Sequence, residues 1–223
     1  MLRAARRASR IADSVLYVAH RAVLTPFNRW KNRKKTERRL EIGPGKSRIA
    51  GFETINITPR LRVDYVHDVT KPLPFRGETF DLIYASHVLE HVPWYQVQET
   101  LANWVLSLKQ GGLIEIWTPN GLLIAKTFVD AETGIENAIH RDGWYRFNPE
   151  RDPCVWANGR IFSYGGGDGV KDHPNWHMTL FSPRYLRLIM ERAGLTDIRP
   201  LTQPEIRGHD HGWINLGFCG RRP

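Results

Sequence analysis

A chain of 223 residues with net charge +9 is long enough for one α/β domain with a full core and an appendage. Its 41% hydrophobic and 25% charged residues are ordinary for a globular protein, while two distant cysteines, Cys154 and Cys219, exclude a disulfide framework and point to a reducing compartment. Twelve Lys and Arg against Asp13 and Glu37 put about +10 on residues 1–39, so the remainder is near −1 and a polyanion would meet the arm, not the body.

In the arm, Ala4, Ala8, Ile11, Val15, Val18 and Ala22 step by three and four and form an apolar stripe. Arg3, Arg7, Arg10, Ser14, Tyr17 and Arg21 form the polar face. Pro26 biases Thr25 out of the helical region and is expected to end the helix. A basic connector, "NRWKNRKKTERR", follows without apolar periodicity. The longest apolar run, Val15 to Ala19, is far short of a membrane span or a secretory core. Such a helix suits an anionic membrane surface, packing on the body or a partner, or RNA contact. The expected division is an arm at 1–36 and a body at 37–223. The expected location is cytoplasmic, with residues 1–25 as a peripheral membrane contact.

The body alternates. Strands are expected at Leu40–Ile42, Phe52–Ile57, Asp64–Val69 and Phe80–Ala85. A helix over 94–109, with Trp94, Val97, Leu101, Trp104, Val105 and Leu108 on one face, is expected to close at Gly111-Gly112. "LIEIWTPN" reads as a fifth strand. "SPRYLRLIMERAG" carries Ser182 as N-cap, Pro183 at the first helical position and Gly194 past the end. "LTDIRPL" and "GWINLGFCGR" are two late strands joined by a short connection. The fold class is therefore α/β: a doubly wound, mostly parallel, Rossmann-like sheet with an antiparallel C-terminal edge hairpin. Ligands bind such sheets beyond the carboxyl ends of the strands, where Glu41, Gly43, Pro44, Gly45, Asn56, Asp68, Ser86 and His87 fall.

Gly43 and Gly45 let the chain turn sharply and a ligand approach. Arg48 stands where a dinucleotide fingerprint wants its third glycine, and "GPGKS", with Lys46-Ser47, lacks the spacing of a phosphate loop. Nucleotide phosphates are disfavoured. Glu41 suits a ligand with a cationic amino group. In "LEIGPG", "VHDVTKPLPF", "FDLIYASHVLEHV" and "LKQGGLIEIWTPN" the chain resembles a class I S-adenosylmethionine-dependent methyltransferase, of a compact kind found beside glycosyltransferases. The resemblance covers about residues 38–120 and continues more loosely through "NWHMTLFSPRYLRLIMERAGLTDIRPL". It implies S-adenosylmethionine as cofactor. Glu41 would face its amino group, with Gly43, Pro44 and Gly45 lining it. Asn56 would meet the ribose, Asp68 the adenine amino group, and Ser86 and His87 the sulfonium region. Asn56 departs from the acid usual at that place, and a neutral amide bonds hydroxyls less strongly.

The donor carries its own leaving group, so the protein mainly aligns acceptor and methyl. A hydroxyl acceptor would also use a base, for which His87 and His91 are candidates, with Glu90 between them to orient a neighbour; His91 packing as a plain core residue is the alternative. His177 is read as facing substrate. A metal site from His173, His177, His209, Asp210 and His211 lacks a second pair at ligand spacing, so no metal is expected. Residues 121–178 form an insertion rich in aromatics and glycine ("GWYRF", "VWANGRIFSYGGGDG"). Gly165, Gly166, Gly167 and Gly169 are candidate lid hinges or a plain loop, and the aromatics suit a sugar or another ring.

The leading reading is O-methylation of a small molecule or saccharide. Nucleic acid is disfavoured as a partner: "YASHV" stands where base methyltransferases carry Asn/Asp-Pro-Pro-aromatic, Pro153-Cys154 lies in the insertion, and the body has no basic excess. A methyltransferase-like binding module without turnover is the alternative that Asn56 supports, and a dehydrogenase is disfavoured by Arg48.

Overall fold

The computed structural model describes residues 15–45, 48–60, 62–143, 148–163 and 173–223. Ala4, Ala8, Ile11 and the polar face from Arg3 to Ser14 lie outside the described residues, as do Lys46, Ser47, the aromatics of "GWYRF" and Gly165, Gly166, Gly167 and Gly169.

Among the described residues seven strands are present: β1 (Arg39–Ile42), β2 (Glu53–Asn56), β3 (Tyr65–Val66), β4 (Phe80–Ser86), β5 (Leu108–Pro119), β6 (Thr196–Pro200) and β7 (Asn215–Arg221). They form one sheet in the order β3-β2-β1-β4-β5-β7-β6. The first five pair in parallel, and β7 runs antiparallel between β5 and β6. This is the Rossmann-like sheet with an antiparallel edge that the alternation implied. β1 lies between β2 and β4, so its carboxyl end sits centrally, where ligands of such sheets bind.

Among the described residues, besides the helical stretch 15–19, the sheet is accompanied by α1 (Thr25–Asn32), α2 (Val97–Val105), α3 (Gly121–Glu132), α4 (Ile139–Asp142), α5 (Pro153–Phe162) and α6 (Pro183–Arg192). Three begin on side-chain caps that their sequences supply. Asn120, Asp152 and Ser182 accept from the backbone N–H groups of Leu123, Val155 and Tyr185, each bond closing an open end of the first turn. The main core, with Leu40, Ile83, Trp104, Ile116 and Met190 fully buried, lies on the α2 and α6 side of the sheet. On the other face Phe52, Leu82, Tyr84 and Trp117 pack with Leu201 and Ile206 from the β6–β7 connection.

Five expectations are corrected. Helix α2 stops at Val105 and β5 starts at Leu108, so Gly111-Gly112 punctuate a β-bulge and not a helix end. Gly111 has φ +73°, and pairing with β4 jumps from Phe80–Leu108 to Leu82–Leu113. Trp94 stays outside the helix and is exposed. Strand β3 has two residues, because Asp68 leaves the ladder to accept from Thr70 N (3.0 Å) and Thr70 Oγ1 (2.7 Å).

The N-terminal helix does not stop at Thr25. Residues 15–19, a π-helical turn His20–Leu24 and α1 are continuous. The wide turn lets Thr25 N donate to His20 O and absorbs Pro26, which has no N–H to give. Its polar side chains cover the β3 edge. His20 Nε2 lies 2.9 Å from Val63 O, Thr25 Oγ1 accepts from Val66 N (3.0 Å), and Asn28 donates to Asp64 O (2.9 Å). Among the described residues no helix is long and apolar enough to cross a membrane.

The β6–β7 connection is long, spanning residues 201–214, and carries two short 3-10 turns. Arg207 grips Glu115 through two bonds of 2.6 and 2.7 Å, and Gly208 N donates to Tyr84 OH (3.3 Å), so the connection lies over the ends of β4 and β5. In the insertion, Ile124, Ile139, Trp156 and Ala157 make a small core together with Ile214 of the connection. Asp142 joins it to the connection, accepting from Trp156 Nε1 (2.7 Å), Arg160 Nε (2.6 Å) and Trp213 Nε1 (3.3 Å).

Candidate functional site

The carboxyl ends of β1, β2 and β4 and the turn after β3 open onto two adjoining cavities of about 390 and 540 Å³. Gly43, Gly45, His87 and Asn175 line both. Pro44, Asn56, Asp68 and His91 line the first, and Glu41, Ser86, His209 and His211 the second. The eight residues expected around a cofactor thus border one continuous cleft. A larger cavity, about 580 Å³, lies elsewhere, between α1 and the start of β4, lined by Arg29, Arg33, Lys35, Arg38, Arg76 and Lys109. None of the strand tips reaches it, so topology favours the smaller pair.

The two glycines of the turn do different work. Gly43 has φ +70°, and a Cβ there would sit 2.3 Å from Val88 Cγ2, so β4's continuation requires it to be glycine. A Cβ on Gly45 would meet nothing within 4 Å, and its backbone faces open space. Glu41 is buried on β1 and Oε2 accepts weakly from Ile49 N (3.4 Å). Burial pushes its carboxyl above the usual range, against the pull of Ile49 N–H and the Arg48 charge. Arg48 pins the rest of the loop, donating to Phe52 O (2.8 Å) and to Asp64 (2.5 and 3.2 Å). Asn56 Oδ1 accepts weakly from Thr58 N at 3.4 Å. Among the described residues Asp68 uses only Oδ1, on Thr70.

Beyond β4 the chain is strained and tightly held. His87 has φ +53°, an uncommon conformation for a side-chain-bearing residue, and its N–H donates to Trp117 O (2.9 Å). Its Nε2 lies 2.9 Å from Asn215 Oδ1, while Asn215 Nδ2 donates to Asp210 Oδ1 (2.7 Å). A carboxylate only accepts, so Asn215 must turn its oxygen to His87 and the Nε2–H donates. The ring stacks on His211, centroids 3.6 Å apart. Burial, then the charges of His87 and His209, lowers the His211 pKa to about 4.

Glu90 is the buried centre of this cluster, 1% exposed, on a 3-10 turn Leu89–His91. His87 Nδ1 lies 3.3 Å from Oε1, an ion-pair distance, and among the described residues neither Glu90 oxygen has a geometric hydrogen bond. Burial works to raise its pKa, but the neighbouring imidazoles, His87 first, outweigh it and bring it to about 2. His91 Nδ1 is 3.1 Å from Trp176 O, and its ring centroid is 5.1 Å from that of His177. His177 is held by its N–H on Phe162 O (2.9 Å), and the next residues donate to Glu90 O from Met178 N (2.7 Å) and Thr179 N (3.1 Å). Burial lowers the His177 pKa, with Glu90 opposing and His91 and His87 adding to the fall.

The family described as "Methyltransferase domain" matches residues 4–199. The chain belongs to it. The methyltransferase has no match among curated proteins. Solved structures resemble it at a distance. A SAM-dependent methyltransferase from Thermotoga maritima is 17% identical, with 100% of both chains covered and a TM-score of 0.48. One from Archaeoglobus fulgidus is 14% identical, covering 93% of this chain and 99% of that one, TM-score 0.47. The CurJ carbon methyltransferase is 14% identical over 86% of this chain, TM-score 0.45, and this chain spans 50% of its length.

In this methyltransferase the ligating groups weighed from sequence do not converge. Asp210 spends its oxygens on Gln203, Gly212 and Asn215, and His173 Nδ1 accepts from Asn175 N (3.1 Å). The described group whose ligating atoms come within 4.8 Å of one another is Glu90, His91 and His177. Sequence reasoning gave Glu90 only an orienting role and missed Asn215 altogether. The first had a local signal, the His-x-x-Glu-His spacing; the second sits 128 residues from His87 and had none.

Proposed function

We propose that this methyltransferase uses S-adenosylmethionine to methylate an oxygen of a small molecule or saccharide. The observation that carries the reading is the imidazole–carboxylate cluster whose His87 and His91 line the strand-tip cleft, with Glu90 and His177 behind them. The cleft fits the cofactor chemically. Gly45 leaves room where a side chain would stand, Asp68 keeps one carboxylate oxygen for an adenine amino group, and Glu41 can take the methionine amino group. Asn56 would take a ribose hydroxyl, and Ser86 and His87 would border the sulfur. When bound, the cofactor supplies a methyl group on a positively charged sulfur that leaves as a neutral thioether.

The protein's part is to hold an acceptor in line and handle its proton. His91 lines the cleft with Nδ1–H committed to Trp176 O, which leaves Nε2 as a lone pair toward the cluster. An acceptor hydroxyl is the group that gains from this, because it must lose its proton and a carboxylate-backed imidazole wall stabilises that loss.

The test is calorimetry with S-adenosylhomocysteine and with NAD. One-to-one binding of the first and none of the second is expected; the reverse preference sinks the reading. Transfer of labelled methyl to hydroxylated acceptors, giving an alkali-stable ether, checks the oxygen assignment.

We also propose that residues 15–30 contact an anionic membrane. Val15, Val18, Val23, Phe27 and Trp30 are exposed beside Arg21, Arg29 and Arg33. Because the same helix covers β3, point changes are a cleaner test than truncation. V18S/V23S/W30S should abolish flotation with phosphatidylserine vesicles and leave cofactor affinity unchanged; flotation that persists overturns the proposal.

A further inference from the structure

We propose that Glu90, His91 and His177 bind a divalent first-row transition-metal ion, and that this ion holds the acceptor oxygen. The second half rests on the O-methyltransferase reading; the first does not.

The cluster is built from acceptors that face one another. His91 gives its Nδ1–H to Trp176 O, and the His177 ring is hydrogen-bonded to the Arg160 backbone. His87 gives Nε2–H to Asn215 Oδ1, and its Nδ1 stands 3.3 Å from Glu90 Oε1, at ion-pair distance and outside the ligand group. Histidines that donate one ring N–H outward to a carbonyl or amide oxygen and point the other nitrogen inward follow the pattern of metal ligands. Inward, two carboxylate oxygens are fully buried with no hydrogen-bond partner among the described residues. A buried carboxylate in that state is costly, and a cation removes the cost.

The donor set selects the ion. Magnesium and calcium prefer all-oxygen sites, whereas two imidazoles and one carboxylate suit zinc, manganese, iron or cobalt. Three protein ligands leave coordination positions open. His91 borders the cleft, so those positions adjoin the place where an acceptor enters. A hydroxyl that binds there loses its proton to solvent more readily, as metal-bound water does. In this arrangement His91 is a ligand and not the base, and His87 is a positioning residue that holds Glu90.

The test uses the full chain, stripped with a chelator and titrated with Co²⁺, followed by visible absorption and calorimetry. One equivalent should bind and give d–d bands. Glu90→Gln, His91→Ala and His177→Ala should each weaken binding about a hundred-fold or more. Cys154→Ser, which removes an exposed thiol, should leave stoichiometry and affinity unchanged. Near-UV circular dichroism checks that the variants fold; if Glu90→Gln does not, the two less buried histidines carry the test. Absence of binding by the parent protein, or binding that survives His91→Ala and His177→Ala, overturns the site and leaves a proton shared between His87 and Glu90. S-adenosylhomocysteine binding, measured on the same samples, separates the two readings. Cobalt without the nucleoside sinks the methyltransferase assignment alone, and the nucleoside without cobalt sinks the metal alone.

Discussion

Two glutamates, each 1% exposed, sit at opposite ends of the sheet. Glu53 opens β2 at the amino end. Arg38 grips it through Nε (2.9 Å) and Nη2 (2.8 Å), Tyr65 OH donates a short hydrogen bond, and Lys35 stands at 3.9 Å. Glu90 follows β4 at the carboxyl end and has no such donors. Burial and the Glu53 hydrogen bond push the Tyr65 phenol well above its usual range, whereas the Glu90 carboxyl is held down only by neighbouring imidazoles. One carboxylate is finished by the protein. The other is left for something the protein must bind. The amino end is built for stability and the carboxyl end for a ligand, and the contrast can be broken by experiment.

The largest expected effect is on Glu53. Glu53→Ala leaves Arg38 buried without its partner and should cost about 3–5 kcal/mol in urea unfolding. Glu90→Gln removes a charge that neighbouring imidazoles stabilise but no hydrogen bond holds, so in chelator it should cost less than Glu53→Ala, about 1–2 kcal/mol. If both substitutions destabilise alike, the contrast between the two ends is wrong.

Next come the two glycines, which repeat the contrast within one turn. Gly43→Ala meets Val88 and a left-handed backbone, and should cost about 2–4 kcal/mol of stability. Gly45→Ala meets nothing, so stability should change by less than about 0.5 kcal/mol while S-adenosylhomocysteine affinity falls. A loss of stability at Gly45 would show that its role is in the fold.

Asp68→Ala sharpens the picture at the cleft itself. A hydrogen bond to a charged group is worth about 1.5–3 kcal/mol, so nucleoside affinity should fall about ten- to a hundred-fold. Some of that loss could come through the Thr70 turn, which Asp68→Asn preserves at Oδ1. Weak binding by both variants assigns the effect to the carboxylate; recovery by Asp68→Asn assigns it to the turn.

How much of this was legible follows the range of the interactions. The sheet was, because strand and helix patterns alternate along the body, and the Ser182 cap of α6 lies three residues from the Tyr185 N–H it accepts from. The rim of the cleft was too, since strand ends mark it in any such sheet. The polarity of the cluster was not. That His87 donates Nε2–H to Asn215 depends on Asp210 fixing an amide in a connection expected to be short. The helix through Pro26 was hidden for a related reason: a π-turn and three polar contacts to residues 63–66 override a local preference. In each case a tertiary contact decided what local pattern could not.

The smallest effect concerns Asn56, where the cleft departs from the acid that a ribose usually meets. Asn56 lines the first cavity with Asp68 and with Arg60 on the far side of the turn. An Asn56→Asp carboxylate would exchange a neutral hydrogen bond to a hydroxyl for a charge-assisted one, worth about 1 kcal/mol more. Against that stands repulsion from Asp68, weakened by water and by the Arg60 guanidinium. The gain should win narrowly, giving a three- to five-fold rise in S-adenosylhomocysteine affinity, about 0.7–1 kcal/mol, that shrinks as salt is removed and the two carboxylates are felt more. A fall in affinity at every ionic strength would mean that Asn56 is matched to its ligand as it stands. The carboxyl end of the sheet would then be shaped for a nucleoside whose hydroxyls are met by an amide, and the unfinished quality of Glu90 would not extend to its neighbours.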